Sequence, residues 1–405
     1  MTKKRKKRNI YSISLKAIAL VASVVFFVVL LEIGVRLLFP DLLQSRPCYQ
    51  YHPTRYWTLR PNSSVTSYFR GPDGRIDWDF TLSVSEQGLR DRTYGPKEPN
   101  EFRILLLGDS MVLGRGVHES KTIPKRLESL FTEHYDELVV SVINGGISMY
   151  CPWQSRDLFN EIGPSLEPDM VILGVFTGND VMDTLSRHGM QQMAYRPGFY
   201  SQYTLLRNQR QWNYFIEYQM RRHWQTLNAC TQFLGWFELC SIAHALGVLS
   251  CRADDSLLDL SPPANRNPLI ELDLACWYPE LQTGYDYMWQ DIKGLKKDCD
   301  AHHIDFHVFA MPPAEIVYDT MWHAATERTE KRYERGKIAR LMSETAQELS
   351  ISWIPVIEAL LNIDQKQWLY IPHDGHLNEE GCLFVAEELF EWLSAHYPDH
   401  QFSER

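Results

Sequence analysis

Short apolar strands alternate with amphipathic helices from Arg103 onward, and this alternation constrains the fold of the 405-residue chain more than any other feature. Strands separated by helices pair in parallel through right-handed crossovers, so we expect an α/β fold built on one parallel sheet. The predicted strands are 104–107, 138–143, 170–175, 305–310 and 351–354. The predicted helices are 122–135, 154–162, 285–302, 327–349 and 379–396, the last of them capped by Asn378.

Polar residues follow two of these predicted strands. Ser110 ends a Gly-Asp-Ser turn after the first strand, and Asn179 lies in Thr-Gly-Asn-Asp after the third. Ligands of an open parallel sheet bind beyond the carboxyl ends of its strands. The hydroxyl of Ser110 and the amide of Asn179 are therefore expected to meet at one site. A Gly-Asp-Ser turn on its own could equally be a helix cap with no catalytic role.

A third polar stretch, near the carboxyl end, supplies an acid and an imidazole. Asp374 and His376 are two residues apart, and in an extended segment such residues project to the same side. The carboxylate can then hold one ring nitrogen while the other faces Ser110, as nucleophilic catalysis requires. A metal site that includes His373 is the alternative, but no second His or acidic cluster completes it. We expect neither a metal nor a cofactor.

These motifs resemble those of the SGNH hydrolase family, also called GDSL-type lipases and acylhydrolases, in its membrane-anchored branch. The similarity spans residues 80–180 and 285–395 and leaves the segment between them unmatched. The matching motifs are Gln-Gly-Leu-Arg-Asp at 87–91, the stretch 103–117 with Gly-Asp-Ser and Gly-Arg-Gly-Val, Asn-Gly-Gly-Ile-Ser at 144–148, Pro-Asp-Met-Val at 168–171, Gly-Asn-Asp at 178–180 and Asp-Gly-His-Leu-Asn at 374–378. The resemblance implies a flavodoxin-like three-layer sandwich.

The resemblance also implies a role for each candidate residue. Ser110 would be the nucleophile, His376 the base and Asp374 the acid that orients the base. The oxyanion hole would use the Ser110 backbone N–H, the side-chain amide of Asn179 and one further backbone N–H.

The sequence departs from the family pattern at two places. Asp374 and His376 have the spacing Asp-x-His, whereas Asp-x-x-His is commoner in the family. Met149 stands where the family usually has a glycine that donates its N–H to the oxyanion. Met149 can supply that N–H only if its backbone angles permit, and Gly145 or Gly146 is the alternative donor.

A basic and then apolar amino terminus predicts a membrane anchor. Six cations at positions 3–8 precede residues 17–31, which carry no charge. Residues 10–31 would span about 33 Å as a helix, which is enough to cross a bilayer. The cations predict a cytoplasmic amino terminus, with the rest of the chain on the periplasmic or extracellular side. No small-x-small pattern follows the segment, which favours an uncleaved anchor over a signal peptide.

Four regions are expected along the chain. They are a basic cytoplasmic tail at 1–9, a transmembrane anchor at 10–38, an extended lead-in at 41–100 and an SGNH hydrolase domain at 101–400, with a mostly helical insertion at about 181–280. The formal net charge of −10 disfavours binding to nucleic acid.

The sequence thus predicts a membrane-anchored serine esterase that acts on an ester of a small molecule, a lipid or a glycan through an acyl-Ser110 intermediate. One alternative is an O-acyltransferase that passes the same acyl group to an envelope carbohydrate. The other is a catalytically inactive SGNH-fold binding module. This alternative is supported by the methionine at position 149, where the family usually has a glycine. Acyl length, disulfide pairing and oligomeric state are left open by the sequence.

Overall fold

The computed structural model describes residues 19–20, 22–34, 48–52, 54–70, 76–135, 139–184, 268–277, 279–327, 332–372 and 374–397. The chain divides into two compact units, one of residues 1–47 and 210–252 and the other of residues 48–209 and 253–405. In the first unit, residues 19–20 and 22–34 are helical. The strands and helices labelled below, and the candidate site, belong to the second unit.

Two antiparallel hairpins precede the main sheet, in the region predicted as an extended lead-in. Strands β1 (Tyr49–His52) and β2 (Tyr56–Leu59) form the first hairpin. Strands β3 (Ser63–Arg70) and β4 (Ile76–Val84) form the second, with a register irregularity between Phe69 and Arg70.

A five-stranded parallel sheet forms the centre of the second unit. Its strands are β5 (Glu101–Gly108), β6 (Val139–Gly146), β7 (Met170–Phe176), β8 (Asp305–Met311) and β9 (Ser352–Ile354). Their spatial order is β6-β5-β7-β8-β9, and every neighbouring pair is parallel. This is the doubly wound order of flavodoxin-like folds. The predicted parallel sheet is confirmed, and each predicted strand overlaps an observed one.

Helices cover both faces of this sheet. They are α1 (Ser110–Leu113), α2 (Ile123–His134), α3 (Pro152–Ile162), α4 (Pro279–Ala301), α5 (Ala314–Val317), α6 (Asp319–Thr326), α7 (Lys337–Glu348), α8 (Val356–Leu361) and α9 (Glu379–His396). Alternate residues of β5 enter two separate cores, with Leu105 and Leu107 in one and Ile104 and Leu106 in the other. The first core includes residues of α3, α4 and α7, and the second includes residues of α2, α8 and α9. The result is a three-layer sandwich.

One predicted helix is wrong at its start. The helix expected at 327–349 begins only at Lys337, because Gly336 takes a φ of 79°, which an α-helix does not allow. Tyr333, inside the predicted span, instead forms a β-bridge with Leu274. The cap predicted for α9 is confirmed, since Asn378 accepts a hydrogen bond from the Gly381 N–H at 2.8 Å.

The predicted anchor and insertion fall largely outside the described residues. Of the anchor at 10–38, only 19–20 and 22–34 are described, and of the insertion at about 181–280, residues 185–267 and 278 are not. Within the described ranges, no helix combines the length and the apolar character needed to span a bilayer.

Candidate active site

Strand β5 places Ser110 at the carboxyl edge of the sheet. The strand ends at Gly108, and α1 begins at Ser110 with Asp109 as its N-cap. The buried Asp109 carboxylate accepts a hydrogen bond from the Met111 N–H at 2.8 Å. Ser110 is therefore the first residue of a short helix, where backbone N–H groups have no partner within the helix.

A turn before α9 supplies the acid and the base. Gly375 takes a φ of 83°, and the Ile371 N–H donates to the carbonyl oxygen of His376 at 2.7 Å, which closes the turn. Asp374 and His376 therefore face each other across a turn, and not along the extended segment that their spacing suggested. The correction follows from Gly375, because its left-handed backbone angle reverses the chain between them.

Ser110, His376 and Asp374 are in contact. His376 Nδ1 lies against the Asp374 carboxylate, and His376 Nε2 lies 2.8 Å from Ser110 Oγ. When Nδ1 donates its proton to Asp374, Nε2 is the acceptor for the Ser110 hydroxyl. A proton on Ser110 thus has a direct path to the imidazole.

Asp374 is held as an anion. Its side chain is 7% exposed, and that of His376 is 17% exposed. Burial alone would raise the pKa of Asp374, but the hydrogen bond from His376 and the positive charge of Arg115 hold the pKa below its usual value. Above that pKa, Asp374 can stabilise a positive charge on the ring.

Asn179 lies in the turn that follows β7. Its side-chain amide donates a hydrogen bond to the Asp183 carboxylate at 2.6 Å. The turn itself is fixed by Asp180, which accepts a hydrogen bond from the Phe176 N–H at 2.9 Å. An amide nitrogen carries two protons, so the contact with Asp183 orients Asn179 and leaves its second N–H for another acceptor.

Two buried acids adjoin the nucleophile and this amide. Asp109 is 2% exposed and Asp180 is 1% exposed. Burial raises the pKa of both carboxyls, and the charge of Asp109 raises that of Asp180 further. The sequence placed Asp109 only in a Gly-Asp-Ser turn that would suit a helix cap, and it gave no sign that the two acids interact.

The loop after β6 holds Met149 in a conformation typical of glycine. Its φ is 62°, in the left-handed region, and the residue is 50% exposed. The two alternative donors are placed differently. Gly145 lies within β6 opposite Leu107, and the Gly146 N–H donates to the side chain of Asn144 at 3.0 Å. The backbone angle that suits glycine is therefore present although the residue is methionine.

The hairpin β1–β2 holds this loop. The Tyr49 hydroxyl donates to the Ser148 hydroxyl at 3.0 Å, and the Trp57 indole N–H donates to the Ser148 carbonyl oxygen at 3.0 Å. On the other side of Met149, the Tyr150 hydroxyl donates to the carbonyl oxygen of Trp57 at 2.7 Å. Three hydrogen bonds therefore flank Met149. The sequence did not predict them, because the lead-in has little periodicity.

The motif at 87–91 supports the loop after α1 and the end of β6. The fully buried guanidinium of Arg90 donates to three backbone carbonyls at distances between 2.5 and 2.8 Å, those of Leu113, Gly114 and Val117. Asp91 accepts a hydrogen bond from the Asn144 N–H at 2.8 Å. The motif contributed to the family resemblance, but only the structure connects it to the site.

No group of three or more His, Cys, Asp or Glu side chains that could hold a metal ion occurs among the residues that the structure describes. His373, the additional ligand of the metal alternative, lies outside those residues.

The fold of this chain aligns with solved structures of other proteins at low sequence identity. Neither a protein-family model nor a curated protein matches the sequence. A lipase/acylhydrolase from Enterococcus faecalis aligns over 73% of this chain and 96% of its own, with 9% identity and a TM-score of 0.36. A GDSL-like lipase from Bacteroides thetaiotaomicron aligns over 75% and 93%, with 11% identity and a TM-score of 0.35. A catalytic mutant of an acetylxylan esterase from Geobacillus stearothermophilus aligns over 72% and 93%, with 13% identity and a TM-score of 0.35.

Proposed function

We propose that the protein is a serine ester hydrolase of the SGNH type that forms an acyl intermediate on Ser110. The observation that carries the proposal is the 2.8 Å contact between Ser110 Oγ and His376 Nε2, with Asp374 on the other ring nitrogen. A hydroxyl, an imidazole and a carboxylate connected in this order form the arrangement that activates serine as a nucleophile.

Each step of the reaction uses a contact described above. Ser110 Oγ attacks the ester carbonyl carbon while its proton passes to His376 Nε2, and Asp374 stabilises the imidazolium. The imidazolium then protonates the leaving alcohol as the carbon–oxygen ester bond breaks, and the acyl group stays on Ser110. His376 next takes a proton from water, which attacks the acyl group, releases the acid and restores the hydroxyl.

Three N–H groups are the proposed donors to the oxyanion. The Ser110 N–H lies at the start of α1, and Asn179 has one amide N–H beyond the one that it gives to Asp183. We assign the third donor to Met149, because the Gly146 N–H already bonds Asn144. The hairpin then serves to hold the Met149 backbone where the oxyanion forms.

The same proposal includes the membrane anchor at 10–38, with the catalytic unit outside the cytoplasm. It is supported by the six amino-terminal cations and by the helical residues 22–34, which carry the apolar sequence. A reporter enzyme fused to the carboxyl terminus should be active only outside the cytoplasm. Activity of the reporter in the cytoplasm would reject this part of the proposal.

Full-length protein, purified in mild detergent, tests the reaction. Short- and long-chain esters of nitrophenol, a lipid ester and an acetylated glycan are incubated with it, and the released acid is measured, with Ser110→Ala as the control. Release of acid that depends on Ser110 supports hydrolysis. Acyl transfer to an added carbohydrate in place of acid release would indicate the O-acyltransferase, and neither product would indicate the binding module.

A further inference from the structure

The loop that follows the nucleophile helix is built to display one arginine. Gly114 and Gly116 have φ values of 77° and 87°, and Arg115 lies between them. The Arg115 N–H donates to the carbonyl oxygen of Ser110 at 3.0 Å, and the buried guanidinium of Arg90 holds the carbonyl of Gly114. The backbone of Arg115 is therefore fixed directly to that of the nucleophile.

The side chain of Arg115 extends between the two sides of the site. It is 45% exposed, and its Nη2 lies 3.9 Å from an oxygen of Asp374. Burial raises the pKa of Tyr49, whereas the hydrogen bond with Ser148 and the charge of Arg115 lower it. Tyr49 contacts the Met149 loop through Ser148. The guanidinium thus lies beside the triad acid, and its charge acts on the tyrosine that holds the Met149 loop.

Two other partly exposed arginines of the described chain, Arg92 and Arg156, are held by close carboxylates. Arg92 donates to Glu128 at 2.8 Å, and Arg156 donates to Asp298 at 2.5 Å. In the described ranges, Arg115 has only the 3.9 Å ion pair, which is longer than a hydrogen bond. Its N–H fork therefore has no close acceptor among the described residues.

We propose that Arg115 binds an acidic group of the ester substrate, either a carboxylate or a phosphate. The inference rests on the proposed esterase function and adds the substrate class, an ester with an acidic group beside the bond that is cleaved. Carboxylates and phosphates match the planar guanidinium fork, which can bind them through two parallel hydrogen bonds. Asp374 approaches the guanidinium only at Nη2, at 3.9 Å, so the remaining N–H groups are those that would hold the acidic group.

The test compares matched esters that differ in one acidic group. Acetylated glucose, acetylated glucuronate and acetylated glucose 6-phosphate are hydrolysed by the full-length protein, and the ratio of acidic to neutral kcat/KM is measured for each acid. Nitrophenyl acetate and the nitrophenyl monoester of succinate form a second pair, which places the acid on the acyl side. We expect the wild-type ratio to exceed one for at least one acidic ester.

In Arg115→Gln that ratio should fall by about ten- to hundredfold, as for the loss of a charged hydrogen bond. Arg115→Lys should retain part of it, because lysine keeps the charge without the fork.

Arg340→Gln is the matched control. Arg340 is 60% exposed on α7 and has ion pairs of 3.9 and 4.0 Å, similar in length to that of Arg115. The control should keep the wild-type ratio. A wild-type ratio of one for every pair would overturn the inference, and so would an equal loss for acidic and neutral esters in Arg115→Gln, which would indicate an effect through Asp374. Failure of the wild type to hydrolyse any ester would instead reject the esterase function itself, and the inference with it.

Discussion

The proton-transfer side of the site and the oxyanion side are built in different ways. Ser110, His376 and Asp374 come from two tight turns, and they are already in contact with one another. Asn179 and Met149 come from two other turns and are held by their surroundings, Asn179 by Asp183 and the Met149 loop by the hairpin β1–β2. The first side is complete in itself, whereas the second depends on residues that hold its loops in place.

This difference has a physical basis. Proton transfer requires three side chains within hydrogen-bond distance, which two short turns can provide. Stabilising an oxyanion requires N–H donors that are aimed at a point in space, so their backbone must be fixed before the charge develops. Changes to the two sides should therefore have different sizes and different kinetic signatures.

The largest effect is expected on the proton-transfer side. Ser110→Ala removes the nucleophile and His376→Ala removes the base, so each should lower ester turnover by about a thousandfold or more. Because the three residues act as a unit, the double variant should be little worse than either single one. Initial rates on a nitrophenyl ester measure this, with circular dichroism as the folding control. If the loss of turnover in the double variant equalled the product of the two single losses, the result would contradict a triad that acts as a unit.

Asn179→Ala should have the next largest effect. In the proposed mechanism the amide acts on charge that develops only in the transition state, so kcat should fall by about a hundred- to a thousandfold with little change in KM. Asn160→Ala is the matched control, because Asn160 also donates its amide to a carboxylate, Asp298 at 3.0 Å, but lies on α3. An equal fall in kcat in Asn179→Ala and Asn160→Ala would contradict the assignment of Asn179 to the oxyanion hole.

Trp57→Phe tests whether the hairpin positions the Met149 loop. The change deletes the indole N–H that holds the Ser148 carbonyl oxygen, and we expect kcat to fall by about three- to tenfold with KM nearly unchanged. Trp277→Phe is the control, since Trp277 makes the same kind of bond to the Leu272 carbonyl oxygen at 2.9 Å. A rise in KM with no change in kcat, or an equal fall in kcat in Trp57→Phe and Trp277→Phe, would argue against a positioning role for the hairpin.

Met149→Gly should have the smallest effect. The backbone at this position already has a φ that suits glycine, so its N–H should stay in place and turnover should change by less than about threefold. Removal of the side chain should admit bulkier acyl groups, which rates on esters of increasing chain length would reveal. Asn62→Gly, at another left-handed position with a φ of 54°, should leave the acyl preference unchanged. A large loss of turnover in Met149→Gly would mean that the side chain itself takes part.

The same division explains what could be predicted from the sequence. The parallel sheet was predictable because β5 to β8 are short apolar runs between helices, and Ser110 and Asn179 directly follow two of them. His376 and Asp374 were identified by residue type and proximity in sequence. Their turn was not predicted, because spacing alone does not distinguish an extended segment from one that Gly375 reverses.

The supporting contacts were out of reach of the sequence for another reason. Tyr49 and Trp57 contact a loop about 90 to 100 positions further along the chain, and Arg90 holds carbonyls more than 20 positions away. Such contacts leave no local periodicity. The left-handed φ of Met149 was likewise hidden, because methionine rarely adopts it.

Covalent labelling of the full-length protein by a fluorophosphonate tests the central claim most directly. The reagent phosphonylates only a serine whose hydroxyl is activated by a neighbouring base and whose oxyanion site accepts the phosphonyl oxygen. We predict one label per chain, found on Ser110 by peptide mass spectrometry, absent in Ser110→Ala and greatly slowed in His376→Ala. A wild-type protein that does not label, or a label that persists in Ser110→Ala, would contradict the assignment of Ser110 as an activated nucleophile.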